Sequence, residues 1–246
     1  MKQNKYDDPG FFANYSQMAR SIGGLDAAGE WPAFRALLPR LHEKKVLDLG
    51  CGFGWHCRYA REQQARSVVG IDLSEKMIAH ARESTNDSAI EYRQLAIEDI
   101  DFPAEEFDVV VSSLALHYVE RFDIVCRKVH HCLVPEGIFV LSVEHSVFTT
   151  LAAQDWYYGP HGERLHWPLD HYQDEGPRQT RFLDHDVVKY HRTVATHLNA
   201  LIDSGFTIAK LSEPQPTQEM LDKHPEMRDE TRRPMFLLIT AIKNRK

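Results

Sequence analysis

The sequence contains no CxxC pair and no apolar run approaching the roughly 20 residues that a membrane-spanning helix needs. Positive charge is not in excess either: 29 Lys and Arg stand against 36 Asp and Glu, a net charge of −7. The missing apolar run excludes a helical membrane anchor. The missing CxxC removes the usual zinc and thiol-exchange frameworks, so Cys51, Cys57, Cys126 and Cys132 are expected as free thiols. With the polar opening MKQNKYDDPG, that predicts a cytoplasmic chain. The charge balance argues against a protein that grips nucleic acid by neutralising phosphates. What remains is an ordinary globular composition, 43% hydrophobic and 26% charged, long enough at 246 residues for one α/β domain over residues 1–246.

The organisation follows from periodicity. Residues 1–44 read as a helical cover, with Phe11, Phe12, Tyr15, Met18 and Ala19 at helical offsets and Trp31, Phe34, Leu37 and Leu38 forming a second set. From Lys45 the pattern alternates between strand and helix. Strands are expected at 45–50, 67–73, 90–94, 107–113 and 137–143, and helices at 55–64, 74–83 and along Phe122, Val125, Val129 and Leu133. Such alternation implies parallel strands joined by right-handed crossovers, a doubly wound Rossmann-like sheet. The rhythm then breaks. Residues 145–186 show no clear period, carry Trp156, Tyr157, Tyr158, Trp167 and Tyr172, and read as a lid inserted after the fifth strand. A helix over 187–204 and strands at 206–211 and 234–243 close the chain, for seven strands in all.

The chemistry begins at the first strand end, Asp48-Leu49-Gly50-Cys51-Gly52-Phe53-Gly54. Glycines there allow a sharp turn and a close backbone approach to a ligand, and the following helix offers free N–H groups. Asp72 closes the next strand, where a carboxylate can accept both hydroxyls of a ribose. A dinucleotide site would want a third glycine at the position of Trp55, and its pyrophosphate would meet the negative Asp48. An NAD-dependent oxidoreductase is therefore disfavoured. A ligand with an ammonium and a sulfonium suits Asp48 better.

Five ordered motifs carry a resemblance over residues 45–145: VLDLGCGFG (46–54), VVGIDLS (68–74), EYRQLAIEDIDFP (91–103), FDVVVSSLALHYV (107–119) and PEGIFVLSVEH (135–145). The chain resembles the class I S-adenosylmethionine-dependent methyltransferases, and most of all the small-molecule branch that includes quinone-biosynthesis enzymes. The resemblance implies an antiparallel final strand and S-adenosyl-L-methionine as cofactor. It implies that Asp48, Gly50, Cys51 and Gly52 line the methionine half, with Ser112, Ser113 and Leu114 beside them. Asp72 would take the ribose hydroxyls, Leu73 and Met77 would pack on the adenine, and Ala96, Ile97 and Glu98 would reach its edge. The family commonly has Gly-Asp where this chain has Leu95-Ala96, so the usual adenine carboxylate is missing. Tyr15 and Arg20 resemble the part of the N-terminal cover that folds over the cofactor.

The acceptor side is less defined. Ligands of doubly wound sheets bind beyond the strand ends, which brings His117 and the Glu144-His145 pair near the chemistry. His145 and His117 are the candidate general bases, each with the competing reading of a buried structural histidine. Ten of the 14 histidines fall between His117 and His197, but their spacing gives no chelating pair and no metal is expected. The reading is methyl transfer to a small molecule, with an aromatic or apolar body, and no nucleic-acid or membrane partner. The alternative is a non-catalytic cofactor-binding or partner subunit.

Overall fold

The computed structural model describes residues 3–245. Three short helices form the cover: α1 (Pro9–Ser16), α2 (Ala19–Gly23) and α3 (Trp31–Leu37). Asp8 caps α1 by accepting from the N–H groups of Gly10 and Phe11, and Pro9 fills the first helical position, where no donor is needed. The alternating region then runs β1 (Lys45–Leu49), α4 (Trp55–Glu62), β2 (Ser67–Asp72), α5 (Glu75–Glu83), β3 (Ile90–Gln94), β4 (Phe107–Ser113), α6 (Phe122–Cys132) and β5 (Leu133–Glu144). The apolar runs of β1 and β4 are buried on both faces, as parallel strands covered by helices require.

The chain then runs through α7 (Ser146–Thr149), the hairpin β6 (Tyr157–Tyr158) with β7 (Arg164–His166), and the hairpin β8 (Gly176–Phe182) with β9 (His185–His191). The chain closes with α8 (Val194–Asp203), β10 (Phe206–Ser212), α9 (Gln218–Lys223) and β11 (Phe236–Lys243). The seven-stranded sheet has the order β10-β11-β5-β4-β1-β2-β3, and β11 runs antiparallel between β5 and β10. One apolar cluster packs α6 and α8 against the sheet around Val125, Val129, Phe139 and Leu201. The other packs α3, α4 and α5 on the opposite face around Phe34, Ala60, Val68 and Ile78. The chain leaves β1 toward β2 on one side and reaches β4 on the other, so a crevice opens at their carboxyl ends.

Two expectations change. Residues 145–186 are not irregular but hold a helical turn, the hairpin β6–β7, and β8 with the start of β9. The helix expected over 187–204 is instead strand β9 followed by α8, which Thr193 caps through the N–H of Thr196. The strand was disguised because the side chains it buries, alternating along it, are Val187, Lys189 and His191. Two of the three are polar, so a period of two does not show as hydrophobicity.

Candidate functional site

A cavity of about 520 Å³ occupies the crevice, within the size range of small-molecule sites. Its floor is the glycine turn. Gly50 has φ +75°, and a Cβ there would lie 2.4 Å from that of Ala115, so the turn and the loop after β4 touch. Gly52 has φ +51°, and a Cβ there would project into open space. Asp72 is pinned beside it. Its Oδ2 accepts from the Gly52 N–H at 3.0 Å and its Oδ1 from the Ser74 N–H at 2.9 Å. Each oxygen keeps a lone pair for a ligand hydroxyl.

The acidic groups here lack cations. Asp72 is pushed up to about 6 by burial. Asp48 lies under the turn, and burial drives its carboxyl up to about 7. Its Oδ2 accepts from the Cys57 thiol at 3.3 Å, but Oδ1 is buried with no partner. The indole N–H of Trp55 is likewise buried and unpartnered. Trp55 lines the cavity, so its open donor fits a ligand that brings an acceptor such as a carboxylate, while the open Asp48 oxygen lies buried outside that lining. Arg20 also lines the cavity, held by Glu30 at 2.5 Å.

The N-terminal cover is fastened directly to this floor. Asp7 accepts from the Ser74 hydroxyl at 2.6 Å and from the N–H groups of Glu75 and Lys76, at the start of α5. Tyr6 and Tyr15 thereby lie over the cavity, their rings 5.2 Å apart at 85°, and Tyr6 also meets Tyr118 edge-on. Gly24 rests on the Trp55 ring, so the bulky residue at the would-be third glycine serves as a seat for the cover.

Beyond Ser113, Leu114 and Ala115 the lining changes character. Phe148, Phe182, Val187, Met235 and Phe236 form apolar walls. Among them stands a buried polar group: Lys189 donates to Glu144 Oε1 at 2.6 Å and to Gln154 Oε1 at 3.0 Å, while Gln154 donates to Glu144 Oε2 at 2.9 Å. The Lys189 cation and the hydrogen bonds from Lys189 and Gln154 hold the Glu144 carboxyl below its ordinary range despite burial. His117 is pushed down to about 4 by burial and is neutral. Its Nδ1 accepts from the Glu144 backbone N–H at 3.5 Å, which leaves the proton on Nε2.

Most of the residues expected at the site line this cavity: Tyr15, Gly50, Cys51, Gly52, Asp72, Leu73, Met77, Ile97, Glu98, Ser113, Leu114 and His117. Asp48, Ala96 and Ser112 are buried just behind it, Ser112 bonded to the Leu49 carbonyl at 2.9 Å. His145 is placed differently from the pocket position its sequence suggested. It caps α7, its Nδ1 accepting from the Val147 N–H at 3.0 Å, and its Nε2 lies 2.8 Å from Glu213. Strand alternation explains this, since Glu144 and His145 point to opposite sides and Glu144 takes the cavity. The aromatic set at 156–172 also turns away: Trp156 and Trp167 pack with Phe148 around Arg233 as a small core of their own. Lys189 and Gln154 were not foreseen, and the only signal for Lys189 was alternation with valines.

Comparison with known proteins bears on the crevice end of the sheet first. A family model described as a methyltransferase domain matches residues 47–141, which hold the glycine turn, Asp72 and His117. Two solved structures match nearly the whole chain. One, from Listeria monocytogenes, is 51% identical, with a TM-score of 0.86, covering 90% of this chain and 100% of that one. The other is an S-adenosylmethionine-dependent methyltransferase from Mesorhizobium loti, 48% identical with a TM-score of 0.84, covering 89% and 100%. A ubiquinone biosynthesis O-methyltransferase of Bradyrhizobium diazoefficiens is 35% identical over 100 residues, 40% of this chain and 39% of that one. A cavity built on a glycine turn and a buried aspartate, in a chain this similar to such enzymes, has one reading: the protein belongs to the class I S-adenosylmethionine-dependent methyltransferases and uses S-adenosyl-L-methionine as its cofactor.

Proposed function

We propose that the protein methylates a small molecule with an aromatic or apolar body, and that residues 145–186 act as the lid of its site. The observation that carries this reading is the wall beyond Ala115. Phe148 and Phe182 from the insertion, with Met235 and Phe236, border a cavity continuous with the glycine turn. Such a wall suits a ring or chain better than a macromolecular surface.

The cofactor supplies a methyl group already activated on a sulfonium, so the protein's own work is alignment and exclusion of water. In this reading Asp72 takes the ribose hydroxyls, while Leu73, Met77, Ile97 and Glu98 hold the adenine. Gly50, Cys51, Gly52, Ser113 and Leu114 line the methionine half. Tyr6 and Tyr15 close from above, fastened by Asp7. His117, neutral and with its proton on Nε2, serves in this reading as a hydrogen-bond donor rather than as a base.

The test supplies cofactor tritiated on its methyl to the enzyme with a bacterial extract split by ultrafiltration. Label should appear in the small-molecule fraction. Label confined to protein or nucleic acid would overturn the reading.

A further inference from the structure

The apolar half of the cavity contains a charge pair that stability does not explain. Lys189 is 2% exposed, on β9, and bonds Glu144 at the end of β5. Burying an ammonium and a carboxylate costs about as much as their attraction returns, and well-packed apolar residues would serve the fold as well or better. Both residues line the cavity, as does the Gln154 that bonds to each of them. Two of the three Lys189 N–H groups are taken by Glu144 and Gln154. The third has no hydrogen-bond acceptor among the described residues. His117 also lines the cavity, and because its Nδ1 accepts from the Glu144 backbone N–H its proton is on Nε2.

We propose that Lys189, braced by Glu144 and Gln154, and the Nε2–H of His117 receive the oxygen of the methyl acceptor, and that the acceptor is a phenol-type hydroxyl on a flat apolar body, bound as its anion. This rests on the small-molecule reading and narrows it. Hydrogen-bond donors without acceptors call for a ligand that brings an acceptor, and an anionic oxygen accepts from an ammonium more strongly than a neutral one. An amine acceptor fits poorly. It would arrive as an ammonium where the one nearby carboxylate is already bonded to Lys189, with Arg20 also lining the cavity. The aromatic walls of Phe148, Phe182 and Phe236 accommodate a ring behind the oxygen.

The chemistry balances. The phenolic proton leaves to solvent as the acceptor binds. A lone pair of the resulting oxyanion forms the new O–C bond while the C–S bond breaks onto sulfur, so anion and sulfonium both end neutral. Lys189 keeps its proton throughout, paired with Glu144, and the neutral ether is then released.

The probe is 4-nitrophenol, whose anion is yellow and whose neutral form is colourless, added to enzyme saturated with the demethylated cofactor. In the wild type the bound probe's apparent pKa should fall by about one to three units, seen as yellowing in mildly acidic buffer. The double variant Glu144→Leu/Lys189→Met replaces the pair by apolar residues and keeps the fold testable. It should lose the yellowing while calorimetry still detects the demethylated cofactor. Lys189→Arg should retain it. A colourless wild type, or equal yellowing in the double variant, overturns the proposal. Displacement of the probe by an equal concentration of 4-nitrobenzoate overturns the phenol assignment in favour of a carboxylate. Loss of cofactor binding, or label found only on macromolecules, would instead sink the wider reading, and those readouts are separate.

Discussion

The two ends of the cavity hold buried carboxylates on opposite electrostatic terms. At the glycine turn, Asp48 and Asp72 have no cation beside them, and burial raises them to about 7 and about 6. At the apolar end, Glu144 is buried too, yet Lys189 and Gln154 bond both its oxygens and its carboxyl is lowered. The first arrangement is incomplete until a positively charged ligand arrives. The second is already neutral and presents a donor. One chain thus suits one end to a cation and the other to a hydrogen-bond acceptor, the pairing that transfer from a sulfonium to an oxygen would use.

The sharpest way to break that contrast is to unpair the self-neutralised end. Glu144→Leu leaves Lys189 buried without its carboxylate and should cost about 3–5 kcal/mol of stability in urea unfolding. The same change at the cation-seeking end should do the reverse. Asp48 is raised from 3.8 to about 7 in the folded state. The folded protein therefore holds that proton more tightly than the unfolded chain, and cofactor-free stability falls as pH rises between those two values. Asp48→Asn removes the penalty. In alkaline buffer it should stabilise the cofactor-free protein by about 2–4 kcal/mol, while weakening cofactor binding. A cofactor-free Asn variant no more stable than wild type would mean that Asp48 is neutralised by something the contrast omits.

Asp72 should show the functional side of the same physics. If Asp72 takes the ribose hydroxyls, Asp72→Ala removes two charge-assisted hydrogen bonds and should cost roughly 2–4 kcal/mol of cofactor affinity by calorimetry. In the wild type, affinity should drop as pH falls through about 6, because the protonated acid cannot accept from both hydroxyls. Flat affinity across that range would remove the ribose role.

The contrast also explains what could be read from the sequence. The glycine turn, Asp72 and the alternating strands are local features: a few adjacent residues state the turn chemistry, and the apolar runs state the sheet. The acceptor end is assembled from distant segments. Glu144 is on β5, Gln154 on the insertion and Lys189 on β9. Lys189 sits where an apolar residue would have announced the strand, so the very feature that gives the site its charge hid the element that carries it. His145 misled for the opposite reason. Its position after β5 was right for a site, but one step along a strand end reverses the side a residue faces.

His145 supplies the smallest effect. Its Nδ1 accepts a backbone N–H, its Nε2 faces Glu213, and it does not line the cavity. Burial lowers its pKa, with Glu213 opposing, so the ring contributes as a neutral cap. His145→Gln should therefore lower stability by only about 1 kcal/mol, the usual worth of a helix cap. Turnover should stay within about twofold, far from the 10²- to 10⁴-fold loss that removal of a general base produces. His117→Ala is the comparison. It removes the donor that faces the acceptor, and it should reduce turnover while calorimetry shows cofactor affinity nearly unchanged. If His145→Gln instead lost turnover by that larger factor and the acidic limb of the pH profile vanished with it, the base would lie outside the cavity. Proton removal would then run through Glu213 rather than to solvent.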